Sequence, residues 1–164
     1  MKKFGILTAI VAGLFVLQTS LLPMIAYHGV SADLLLLLVV SFAFLRGVRE
    51  GALMGFLTGL LQDLATGTFF GVNTFTYLVL GLFFGSFSGR IFKEQFFLPV
   101  LCSLPAAAAS YFILAVLMVL LGYRFNLTAS MQYTLLPMFV YQLVFAYPVH
   151  RIAYAIDTWL SEKN

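Results

Sequence analysis

"EGALMGFLTGLLQD", Glu50 to Asp63, carries glycine at 51, 55 and 59 and an aspartate at 63. Everything between is apolar, small or amide. In a water-soluble helix each such glycine costs roughly 1 kcal/mol relative to alanine. In lipid the balance differs. Apolar side chains gain nothing by leaving acyl chains for protein, so helices associate through close backbone approach, which small residues permit. Residues four apart drift only ~40° around a helix. The three glycines therefore share one narrow face, and Asp63 follows at the same spacing. The stretch reads as a short, close-packing membrane helix whose carboxylate projects from the packing face, toward protein.

The rest of the chain supports that solvent. Of its 164 residues, 62% are hydrophobic and only 9% charged, against a usual charged share of about 25%. Mean hydropathy is +1.03. Too few charges exist to cover a water-facing surface, and the formal charge of +3 is too small and scattered for a nucleic-acid binder. The single cysteine, Cys102, excludes an intrachain disulfide and a thiolate cluster. His28 and His150 lie far apart without a ligand-like partner. No nucleophile–base set, phosphate loop or HExxH stretch is present, and no metal or cofactor is expected. "NLT" at 126–128 matches a glycosylation pattern that is frequent by chance.

Six apolar segments can be marked, at about 4–22, 32–45, 51–64, 72–89, 96–121 and 131–156. They form one polytopic membrane domain with short loops. The first follows Lys2 and Lys3 like a signal peptide, but "VLQTSLLPM" lacks a small-residue cleavage pattern. A retained first span is expected. The second and third segments are short: about 14 residues cover only ~21 Å of a ~30 Å hydrocarbon core. They must lengthen, thin the bilayer, or be sheltered by other helices. With six crossings, Lys2, Lys3, Arg46, Arg49, Arg90, Lys93, Arg151 and Lys163 fall on one side and only Arg124 on the other. The positive-inside rule then places both termini in the cytoplasm. The tail "RIAYAIDTWLSEKN" reads as a surface segment.

Three stripes of small residues stand out: Gly5, Ala9 and Gly13; Gly51, Gly55 and Gly59; Gly81, Gly85 and Gly89. Each serves either packing among the chain's own helices or docking of a partner helix. Asp33 opens the second segment, where the helix dipole favours an anion. Asp63 closes the third, where the dipole opposes one, so it calls for a partner. Arg124 on the same side is one candidate. A structural lock and a ligand contact are the two readings of Asp63. At the other side "RGVREG" sets Arg46 four residues from Glu50, across Gly47. Arg46 and Glu50 either clasp a tight turn, or Glu50 serves the start of the third helix. Arg46 and Arg49 also suit anionic lipid or a cytoplasmic partner. Gly71 and Asn73 suggest a constrained turn with a side-chain cap.

Residues 33–75, "DLLLLLVVSFAFLRGVREGALMGFLTGLLQDLATGTFFGVNTF", closely resemble the rod shape-determining MreD family. The likeness rests on Asp33, Arg46-Gly47, Glu50-Gly51, Gly55, Gly59-Leu60, Asp63, Gly71 and Asn73. Ala32 stands where the family usually has proline, a departure that concerns only the entry turn. The resemblance implies an all-α inner-membrane protein of six transmembrane helices in bacteria. It implies a fold similar to the substrate-binding components of energy-coupling-factor vitamin transporters. It also implies a role rather than a reaction: a scaffold of the cell-elongation machinery that binds MreC and is linked through it to MreB, RodA and its penicillin-binding transpeptidase. A vitamin-binding component is the alternative, for which Gln62, Asp63, Asn73, Asn126, Gln132 and Gln142 could supply an outward polar pocket.

Overall fold

The computed structural model describes residues 2–27, 29–30, 32–67, 69–88, 97–123 and 131–162. Six long helices account for almost all of them: α1 (Lys2–Ser20), α2 (Leu34–Arg46), α3 (Val48–Thr66), α4 (Val72–Gly85), α5 (Phe97–Leu120) and α6 (Leu136–Glu162). A short helical turn, Leu22–Ile25, follows α1, and a π-helical turn, Met131–Leu135, leads into α6. Gly5–Ile25 and Val100–Leu120 are long and apolar enough to cross a membrane, while α2 and α4 are shorter apolar helices.

The short second segment sits at the centre. Every residue of α2 from Leu34 to Leu45 is buried, and all five other long helices surround it. A helix that is apolar on all sides is a buried one. In lipid, however, hydrophobicity alone does not choose the centre, because acyl chains are as apolar as leucine. Length and end charges decide it. With 13 residues, α2 covers only ~20 Å, so contact with lipid would hold Asp33 and Arg46 within the hydrocarbon, where each charge costs about 3 kcal/mol or more. Inside the bundle the neighbours supply both ends with polar partners.

The third segment solves its shortness differently. Helix α3 runs for 19 residues, ~28 Å, beyond both edges of the apolar run. It starts directly after α2 because Gly47 alone makes the corner, at φ 91° and ψ −168°, a region essentially closed to residues with a Cβ. The described part of the tail read as a surface segment, to Glu162, is instead the last turns of α6. Ala153, Ile156 and Asp157 are buried there, because one face of that helix continues to pack on α2. Helix α5 turns its small residues inward: Ser103, Ala106, Ala107 and Ser110 are buried. Gly89 and the segment 89–96, like Arg124, Asn126 and the 126–128 pattern, lie outside the described residues, as does His28.

Candidate functional site

The glycines of α3 and α4 form one seam. The two helices run antiparallel, with Gly51 against Gly81, Gly55 against Tyr77, Gly59 against Thr74, and Gly85 against Val48. A Cβ on Gly59 would stand 2.5 Å from the Thr74 Cα, and one on Gly85 would stand 2.6 Å from the Val48 Cα. A Cβ on Gly55 or Gly81 would overlap the backbone carbonyl of Tyr77 or Gly51. Gly51 also backs onto α2, where a Cβ would meet that of Ala43 at 2.7 Å. The obstacles are backbone, which cannot step aside. The described glycines of these two stripes are consumed inside the chain.

Asp63 closes the seam. Its carboxylate accepts hydrogen bonds from the backbone N–H groups of Gly71, Asn73 and Thr74, each at 2.9 Å, and from the Thr74 hydroxyl at 2.5 Å. Those donors are the free N–H groups at the start of α4, where the dipole favours an anion. The unfavourable position at the end of α3 is thus a favourable one on α4. Gly71 aims its N–H there with φ at 103°, a conformation suited to glycine. Arg124, one candidate partner for Asp63, lies outside the described residues; the described partners of Asp63 are these four donors. The cap expected from the Asn73 side chain is supplied from across the seam, by Asp63.

A second polar lock holds the Asp33 end of α2. The Asp33 carboxylate accepts from the Leu36 N–H at 3.0 Å and from the Tyr77 hydroxyl on α4. Gln142 of α6 accepts from the Asp33 N–H at 3.1 Å and reaches its carbonyl at 3.5 Å. Gln18 of α1 accepts from the Leu35 N–H at 3.1 Å and donates to Gln62 of α3 at 3.3 Å. The first turn of α2 therefore finds partners on α1, α4 and α6. Tyr141 adds a bond to the Ile25 carbonyl at 2.6 Å. At the opposite end, Arg46 Nε meets Asp157 of α6 at 2.7 Å. Of the two readings of Arg46 and Glu50, the structure has the second: Glu50 stands in the first turn of α3, and Arg46 pairs with Asp157 rather than with Glu50. Helix α6 thus holds both ends of α2.

Sequence reasoning missed Gln18, Tyr77 and Asp157. Gln18 left one trace, as a lone amide within the first apolar segment. Gln62, Asp63, Asn73 and Gln142, the described members of the supposed outward pocket, are engaged in these locks by side chain or backbone and line none of the described cavities. Gln132's side chain and Asn126 lie outside the described part. A vitamin site is therefore not supported.

Helix α1 is the exception to this economy of packing. It buries Val11 and Leu14 toward the bundle, while Gly5, Ala9 and Gly13 lie on its exposed face. Among the described residues, nothing comes within 4 Å of a Cβ on Gly5 or Gly13.

The family model of the rod shape-determining protein MreD matches residues 2–155 of the 164. The chain belongs to the MreD family. It is accordingly a rod-shape-determining membrane protein. No curated protein and no solved structure matches it. The match takes in the α3–α4 seam, both locks of α2 short of Asp157, and the open stripe of α1.

Proposed function

We propose that this MreD-family chain is a multi-pass scaffold of the bacterial inner membrane that binds MreC through the exposed small-residue face of α1. The observation that carries this reading is the difference among the stripes. Those on α3 and α4 are filled by each other, whereas Gly5, Ala9 and Gly13 remain open at membrane depth. A spanning helix can approach such a face closely enough for dispersion and Cα–H···O contacts to hold it. The positive-inside rule sets the Arg46 end in the cytoplasm, so the Asp33 end faces outward. Holding the single span of MreC against α1 would fix where its outer domain stands, and with it the placing of MreB, RodA and the partner transpeptidase during peptidoglycan synthesis. The layout of six helices around a buried second helix is proposed to be of the type found in the substrate-binding components of energy-coupling-factor transporters. No reaction is assigned to it.

Gly13→Leu tests the assignment. The added side chain points away from the bundle, so the purified chain keeps its wild-type elution profile. Overpacking an intermolecular seam costs about 1–3 kcal/mol, so co-purification of MreC falls on the order of tenfold. Undiminished recovery of MreC with Ala9→Leu and Gly13→Leu combined would exclude this face.

A further inference from the structure

A cleft of about 370 Å³ separates α1 from α6 at the Arg46 end of the bundle. Ile6 and Ile10 line one wall, and Ile152, Ala155, Ile156 and Trp159 the other. Trp159 lies two residues beyond Asp157, whose bond to Arg46 marks the level of that end. From Trp159 to Ile152 the wall rises seven residues, ~10 Å. Farther along, α1 closes onto the bundle through Val11 and Leu14 and is pinned by Gln18. The cleft is thus open at one end and stops within a single leaflet of a ~30 Å core.

We infer that this cleft seats an acyl chain of an anionic phospholipid, with the headgroup at the Arg46 end of the bundle, the end at which α1 begins. Three observations select this occupant. The depth suits an acyl chain, whereas a spanning partner helix needs a groove through both leaflets. The walls are aliphatic, and the one tryptophan stands at the open end, the level of the headgroups. The charge is complementary: the sequence assigns eight of the nine basic residues to this side, against four of the six acids, and α1 itself begins with Lys2 and Lys3. Basic clusters beside clefts between helices on the positively charged side recognise anionic headgroups. This site lies beside the exposed stripe of α1, and it does not depend on MreC.

Trp159 is the single tryptophan, so the intact chain carries its own probe. The chain is reconstituted alone in phosphatidylcholine vesicles containing an equal small fraction of brominated phosphatidylglycerol or brominated phosphatidylcholine. Brominated phosphatidylglycerol quenches Trp159 with an apparent affinity on the order of fivefold higher, the preference expected from one engaged lysine. Ala155→Phe, which plugs the cleft from an exposed position, brings the preference to unity, as does Lys2→Gln with Lys3→Gln. Ile6→Phe fills the cleft from the peripheral helix and serves if Ala155→Phe does not fold. Equal quenching by the two lipids in the unaltered chain overturns the inference. So does a preference that survives a folded plugged variant, which would reflect general surface attraction only.

Discussion

Gly55→Leu yields no folded protein. The substitution places a branched side chain where α4 passes so closely that even a Cβ overlaps the Tyr77 carbonyl. The usual cost of an overpacked core, about 1–3 kcal/mol, assumes neighbouring side chains that can shift. Here the obstacle is a helix backbone. Relief requires α3 and α4 to part along their length, which also pulls Asp63 from the α4 N-terminus and Tyr77 from Asp33. Size-exclusion chromatography in mild detergent should show aggregate in place of the monodisperse peak. Gly59→Leu should behave alike, for a Cβ there stands 2.5 Å from the Thr74 Cα. Gly13→Leu, with open space around it, should elute as the unaltered chain does. A monodisperse Gly55→Leu protein would mean that the seam is not closed as described.

Asp63→Ala should produce the next largest loss. The side chain is 1% exposed and serves four donors on α4. Its removal leaves three partly buried N–H groups without their acceptor, and each such orphan costs up to about 1–3 kcal/mol. Since part of the loss is recovered by relaxation, the expected destabilisation is on the order of 4 kcal/mol. Asp63→Asn keeps one acceptor oxygen but turns an amide donor toward other donors, so about half that loss is expected. Reversible unfolding in mixed detergent micelles measures both. An Arg124 substitution should add its own effect independently and rescue neither variant, because the acceptor that α4 has lost is not restored. Wild-type stability of Asp63→Ala would contradict the cap.

The seam was legible because its information is local. Glycines four apart on one face announce close approach whatever the partner, and Gly51, Gly55, Gly59 and Gly81, Gly85 also announced it on two segments that follow one another. The discomfort of Asp63 was legible too, since the dipole of its own helix opposes it. Its actual partner was not. A helix N-terminus presents backbone donors, which no side-chain pattern reveals, whereas a charged residue such as Arg124 is visible in the sequence. The centrality of α2 was hidden for a different reason: leucine is equally at ease in lipid and in protein, so "LLLLLVV" does not say which surrounds it. Only the shortness of the segment hinted at shelter. Gln18, Tyr77 and Asp157 are joined to α2 across 17, 44 and 111 residues of chain, and a single sequence carries no sign of such pairings.

The division of labour among the helices follows from these contacts. The two ends of α2 are fixed by polar locks and one flank of the bundle by the α3–α4 seam, which leaves α1 as the helix with an unfilled close-packing face. The most direct measurement is photocrosslinking in cells that make MreC, with a photoreactive phenylalanine analogue placed in turn at Ala9, at Gly13 and at Phe112. Phe112 is 66% exposed on α5 and serves as the control. Adducts to MreC from positions 9 and 13, and none from 112, are the expected result. Adducts from position 112 with none from α1 would move the MreC-binding face to another side of the bundle.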